Sequence, residues 1–215
     1  MGEATKLHRY EGRGGVVTFD AKRCIHAAEC VHGLPAVFDP KAKPWVNPDA
    51  ADAGAMGATV ERCPSGALRI EHPDGRSESA PAKSTATLTT NGPTYLRGDI
   101  TVILADGVTR TETRMALCRC GASRNKPYCD GSHTESGFRD AGALPANAVP
   151  GIAAAGGKLT VTPRPNGPIK CEGALTIEGT DRRSTATDVT FLCRCGASGN
   201  KPYCDGTHKK IGFAA

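Results

Sequence analysis

One sixteen-residue stretch occurs twice in this chain. The first copy is Cys118-Arg-Cys120-Gly-Ala-Ser-Arg-Asn-Lys-Pro-Tyr-Cys129-Asp-Gly-Ser-His133, and 75 residues on stands Cys193-Arg-Cys195-Gly-Ala-Ser-Gly-Asn-Lys-Pro-Tyr-Cys204-Asp-Gly-Thr-His208. Only two positions differ, Gly199 standing for Arg124 and Thr207 for Ser132. Three thiols and one imidazole at fixed spacing, in duplicate, form the pattern of a metal site. Cys118 and Cys120 are two apart, so on extended backbone both side chains leave the same face. Cys129 and His133 are four apart and fall one above the other across a helical turn. Asp130 is placed to cap that turn and Gly137 to end it. Each copy therefore offers two ligand pairs, the layout for two metal ions bridged by sulfide. A tetrahedral zinc ion on the same three Cys and one His is the alternative, and it would make the metal a folding staple.

Both copies resemble the CDGSH iron–sulfur family, the mitoNEET-like proteins, whose signature is C-x-C-x2-[ST]-x3-P-x-C-D-G-[SAT]-H. Every defined position is met, including Ser123 and Ser198, Pro127 and Pro202, Ser132 and Thr207. The resemblance implies one [2Fe-2S] cluster per copy, on Cys118, Cys120, Cys129 and His133 and on Cys193, Cys195, Cys204 and His208. Replacing one thiolate by a neutral imidazole makes such a cluster less negative and raises its reduction potential. It also introduces a ligand whose protonation competes with iron.

With 215 residues, 5% aromatics, 26 glycines and 15 prolines, the chain has room for two or three small domains with thin cores. Bound metal would then contribute much of the folding energy. The ten cysteines suit metal binding in a reducing cytoplasm better than disulfides. The opening Met1–Lys6 carries no apolar leader and no myristoylation signal, and no apolar run of membrane-spanning length occurs. The formal charge of +5 falls in the half that holds the repeat. Arg119, Arg124, Lys126, Arg194, Lys201, Lys209 and Lys210 lie beside ligands, as solvated loops or as a basic rim for an acidic redox partner. Nucleic acid is not expected, because the basic stretches lack interleaved aromatics.

Residues 1–72 hold a second group of thiols. Gly15–Phe19 reads as a strand, Asn47-Pro48 opens a helix running to Arg62, and Ala67–Ile70 closes as a strand. Cys24-Ile-His26-x3-Cys30, Gly33-Leu-Pro35-x-Val37-Phe38, Lys43-Pro-Trp45 and Arg62-Cys63-Pro-Ser-Gly-Ala-Leu68 resemble the divergent mono-cluster ferredoxins. Four-cysteine ferredoxins place a thiolate where this chain has Ala27, which leaves Cys24, Cys30 and Cys63. The resemblance implies a [3Fe-4S] cluster on those three, or a [4Fe-4S] cluster whose fourth iron takes an exogenous ligand or a histidine, His26 and His32 being nearby. A vestigial domain with three packed thiols is the other reading.

The fold class read from these pieces is α+β. A ferredoxin-like domain at 1–72 and a linker at 73–85 precede a first CDGSH unit at 86–139. A second linker at 140–158 precedes the second unit at 159–215. Asp99–Leu104 and Ala174–Glu178 are expected strands, as are Thr111–Leu117 and Asp188–Leu192. Family members with one motif form intertwined homodimers, so a tandem chain is expected to be that dimer made intramolecular, and a monomer. Cys171 is read as an apolar filler. No phosphate loop or dinucleotide fingerprint is present, and the chain is not read as an enzyme. Electron transfer is the expected function. Alternatives are a cluster carrier or a redox and pH stress sensor that hands its cluster to an apo-acceptor protein, and a metal-stapled structural protein.

Overall fold

The structure is a computed structural model that describes residues 7–215; the Met1–Lys6 reading lies outside them. The chain divides into two compact units, one ending at Ser79 and one beginning at Ala80. Most regular structure is β, with a few short helices. Among the described residues no helix is long and apolar enough to cross a membrane.

The first unit is a three-stranded antiparallel sheet of β1 (Leu7–Gly12), β2 (Gly15–Asp20) and β3 (Leu68–Glu71), in that order. The strands expected at 15–19 and 67–70 are there. β1 falls in what reads as a polar tail, because its side chains are mostly exposed and its order comes from pairing with β2. The helix expected from Pro48 to Arg62 is interrupted. A 3-10 turn at Pro48–Ala50 ends at Ala51 in extended backbone, and Asp52 then starts a new helix by accepting from the Ala55 amide at 2.9 Å. A capping side chain there outcompetes continuation of the turn. Glu29–Gly33 forms the short helix α1, and Ala53–Glu61 forms α2. Val17, Phe38, Met56, Val60, Leu68 and Ile70 make the core.

In the second unit the repeat is visible as strand pairing. Each copy contributes three strands: β4 (Ser84–Leu88), β5 (Thr94–Ile103) and β6 (Thr109–Leu117), then β7 (Leu159–Pro163), β8 (Ile169–Glu178) and β9 (Ser184–Leu192). β5 pairs along its length with β6, and β8 with β9. The other edge of β5 is shared. Its first half pairs antiparallel with β4, and its second half pairs parallel with β7 from the other copy. β8 divides its free edge in the same way between β7 and β4. The matches obey the repeat: Thr85 sits opposite Thr176 and Thr160 opposite Thr101.

The edge is divided at a bulge. Register shifts between Arg97 and Ile100, and between Glu172 and Leu175, around Gly98 and Gly173, both at positive φ. A side chain at Gly98 would strike Ser84, and one at Gly173 would strike the Lys158 carbonyl. Glycine is thus required where the other strand begins its approach. Alternating residues of these strands, among them Leu96, Ile100, Val102, Leu159, Val161 and Leu175, fill a single core, each worth about 1.5–3 kcal/mol of apolar burial. Cys171 is part of it. It is 1% exposed, and burial pushes its thiol up to about 12, as expected for a filler.

Candidate metal centres

Each ligand loop is folded back along the end of a strand. After β6 the Cys118 amide donates to the Pro127 carbonyl at 2.9 Å, and the Cys129 amide donates to the Ala116 carbonyl at 2.8 Å. Those two bonds bring the second ligand pair beside the first. The other copy matches, with Cys193 donating to Pro202 and Cys204 to Phe191, each at 2.8 Å. Ser123 holds the intervening turn. Its hydroxyl donates to the Tyr128 carbonyl at 2.6 Å and accepts from the Asn125 amide at 3.0 Å, and Ser198 does the same for Tyr203 and Asn200. The Lys126–Pro127 and Lys201–Pro202 bonds inside these turns are cis.

The donors meet in pairs. Cys118 Sγ lies 3.7 Å from Cys120 Sγ, and Cys129 Sγ lies 3.4 Å from His133 Nδ1. In the second copy the same distances are 3.7 Å for Cys193 and Cys195 and 3.3 Å for Cys204 and His208. Among the described residues, no group of three or more such donors closes on a single point. Two chelating pairs side by side fit a binuclear group. In each pair the imidazole presents Nδ1 to the sulfur. Cys118, Cys129 and Cys193 are buried, whereas Cys120, Cys195, Cys204 and both histidines are half-buried.

The helical turn carrying the histidine is shorter than expected. Thr207–Lys210 forms the four-residue helix α3, and residues 132–137 form turns only. The aspartate sits one place before the cap position and bridges two limbs of the loop. Asp130 accepts from the Arg124 amide at 2.8 Å and the Ser132 amide at 3.1 Å, and Asp205 accepts from the Gly199 amide at 2.8 Å and the Thr207 amide at 2.9 Å. Gly137, expected as the stop, does take a left-handed φ of 67°.

The thiols are unequal. The Cys118 thiol is pushed up by its hydrogen bond with Cys120 and by burial, and the same bond lowers Cys120 to about 6. Burial pushes Cys129 up to about 11 and raises Cys195. A bound metal replaces these protons and removes the burial penalty. Amide groups of Ala122, Gly131 and Gly206 point at Cys120, Cys129 and Cys204 Sγ, each at 3.4 Å, and favour the thiolates.

The basic rim is smaller than the sequence implies. Arg119 and Arg194 are 3% and 4% exposed. Arg119 donates to the Gly92 carbonyl at 2.9 Å and to Asp140 at 2.6 Å, and its guanidinium lies over Phe138. Arg194 donates to the Gly167 and Arg164 carbonyls and lies over Phe213. Both are internal braces, alternating away from the flanking cysteines. Lys126 and Lys201 are tied to the Ser123 and Ser198 carbonyls. Arg124, Lys209 and Lys210 remain exposed.

The two loops also touch each other. Gly121 has φ 82° and Gly196 has φ 83°; a side chain on the first would overlap the Cys195 carbonyl, and one on the second the Cys120 carbonyl. Agreement between the two copies is the signal that singles out both glycines and both arginines, but it gives them no role.

In the first unit, Cys24, Cys30 and Cys63 line one cavity of about 530 Å³. Its wall includes Phe19, Ile25, Trp45 and Leu68, together with His26 and Ala27. Trp45 packs edge-on against Phe19 at 4.9 Å, as a core aromatic would. Burial raises the Cys24 and Cys30 thiols, and the amides of His26 and Val31 oppose this by donating to the sulfurs. Three soft donors around an apolar cavity of this size fit an iron–sulfur cluster. His32 does not line it.

Comparison with known proteins finds two families along the chain. Residues 10–73 match the family described as "Divergent 4Fe-4S mono-cluster", and residues 91–134 and 166–209 match "Iron-binding zinc finger CDGSH type". The uncharacterized protein YjdI of Escherichia coli strain K12 is 38% identical over 63 residues, covering 29% of this chain and 83% of its own length, and YjdI of Escherichia coli O157:H7 matches equally. This chain therefore belongs to the CDGSH iron–sulfur family in its tandem-motif form, with an N-terminal domain of the divergent mono-cluster type.

Proposed function

We propose that the protein transfers electrons through two [2Fe-2S] clusters and a third cluster in its first unit. Cys118, Cys120, Cys129 and His133 would hold one binuclear cluster, and Cys193, Cys195, Cys204 and His208 the other. Cys24, Cys30 and Cys63 would hold the third, of the [3Fe-4S] or [4Fe-4S] type. Bound clusters supply one-electron redox chemistry at potentials lifted by the imidazole ligands. The observation that supports this reading is the contact of the two ligand loops at Gly121 and Gly196, which sets the two Cys3His loops against each other.

The exchanged pairing of β4 and β7 supports an intramolecular pseudo-dimer related by a pseudo-two-fold axis, and hence a monomer. The chain's own residues bind, orient and partly shield the clusters. The role proposed is that of an electron carrier, not of an enzyme. An acidic redox partner would meet Arg124, Lys209 and Lys210 in the cytoplasm, with neither membrane nor nucleic acid involved.

A second reading, a cluster carrier or sensor, is favoured by the half-buried His133 and His208. Protonation of either would detach one ligand. Incubating the holo-protein with an apo-ferredoxin, while following its reduction by a reductase, separates the two. Electron transfer predicts fast reduction with the clusters retained. Cluster movement without efficient reduction would favour the carrier.

A further inference from the structure

The cavity in the first unit has three thiols where a cubane cluster has four irons. Ala27, at the place of the missing thiolate, is flanked by two residues in left-handed backbone, His26 at φ 54° and Ala28 at φ 62°. Each conformation costs on the order of 1–2 kcal/mol for a residue with a side chain. Two among the five residues between Cys24 and Cys30 mean that this segment is held to a shape its own backbone does not prefer. That shape puts His26 on the cavity wall while its amide donates to the Cys24 sulfur.

The other histidines of this unit are placed elsewhere. His32 lies in α1 off the cavity, His8 packs beside Phe19 with ring centroids 6.2 Å apart, and His72 follows β3, near Gly57. Besides the three thiols the cavity wall carries His26, Glu29, Lys43 and the hydroxyls of Tyr10 and Ser65, and of these His26 is the one imidazole. Iron in a sulfur-rich cluster takes imidazole in preference to a hard carboxylate.

Resting on the reading that this unit holds a cluster, we propose that His26 is its fourth protein ligand. The site is then a [4Fe-4S] centre on Cys24, Cys30, Cys63 and His26, and each cluster of the chain has three thiolates and one imidazole. The residue beside the missing cysteine supplies what the missing cysteine would have supplied, at one charge less.

The test uses the full chain carrying His133→Cys and His208→Cys, so that nitrogen coupling from the binuclear sites is removed. After incorporation of ¹⁵N-histidine and reduction, electron–nuclear double resonance of the four-iron signal should show a nitrogen coupling. Adding His26→Ala should abolish it and release one iron from this cluster, leaving a three-iron signal after oxidation. His26→Cys should keep all four irons with no nitrogen coupling, and Glu29→Gln should change neither.

The proposal is overturned by a coupling that survives His26→Ala, by no coupling in the parent, or by iron loss on Glu29→Gln instead. Iron and Mössbauer analysis of His26→Ala and His26→Cys in the otherwise unaltered chain gives the same decision should the double cysteine variant lose its clusters. Iron no greater than two binuclear centres hold would bring down the third cluster itself. Full iron without nitrogen coupling would remove His26 alone.

Discussion

Gly121 and Gly196 leave no room between them for a side chain: each lies against the carbonyl of the other copy's second cysteine. Gly121→Ala or Gly196→Ala must therefore part the two ligand loops as well as strain a positive φ. Each is expected to cost about 2–4 kcal/mol, the backbone strain plus the overlap. Gly131→Ala, at φ 88° with nothing within 4 Å, should cost about 1–2 kcal/mol. Denaturant unfolding of the three variants checks this; equal losses would mean that the contact contributes nothing.

The first site has a hydrogen-bond donor that the second lacks. Ser136, whose hydroxyl donates to the His133 carbonyl at 3.3 Å, lies close enough to help lower the Cys120 thiol, and its counterpart in the repeat is Ile211. A donor to a ligand sulfur stabilises the reduced, more negative cluster. Ser136→Ala should lower the potential of the first cluster by about 20–60 mV, the one-electron equivalent of about 0.5–1.5 kcal/mol, and leave the second unchanged. Ile211→Ser should raise the second. Redox titration with electron paramagnetic resonance resolves both.

Asp130 and Asp205 each tie the limb carrying the histidine to the limb after the first cysteine pair. Asp130→Ala and Asp205→Ala should leave the ligands in place but let the limbs separate. Loss of visible absorbance to a chelator should become several-fold faster at the altered site. An unchanged rate would assign the aspartates no part in retaining metal.

Metal removal should spare the sheet. The loops are anchored by protein bonds from Cys118, Cys129, Cys193 and Cys204 amides, and the strand core contains none of the ligands. The apo-protein should retain its β signature in far-ultraviolet circular dichroism while its melting temperature falls. A random-coil spectrum would instead make metal the main source of folding energy, as the thin composition alone suggests.

The ligand pairs were legible because spacing two on extended chain and spacing four on a turn fix which side chains meet, whatever surrounds them. The 75-residue offset likewise exposed the duplication. What surrounds the ligands was not legible. Whether β7 lies against β5 or stays with β8 alone is decided by packing between segments far apart in sequence, and no local pattern carries it. Arg119 looked like a surface charge because composition cannot show that its partners, Gly92 and Asp140, fold over it. The interrupted helix at 48–62 shows a local signal outweighed by another: Asn47 and Pro48 do open a turn, but Asp52 caps the next one.

The account rests on paired irons in the two Cys3His sites, and iron, zinc and acid-labile sulfide per chain in anaerobically isolated protein, with Mössbauer spectra, tests it most directly. The prediction is equal iron and sulfide from binuclear centres, plus the cluster of the first unit, with no stoichiometric zinc. Zinc filling the sites with no labile sulfide, after expression with ample iron, would contradict it.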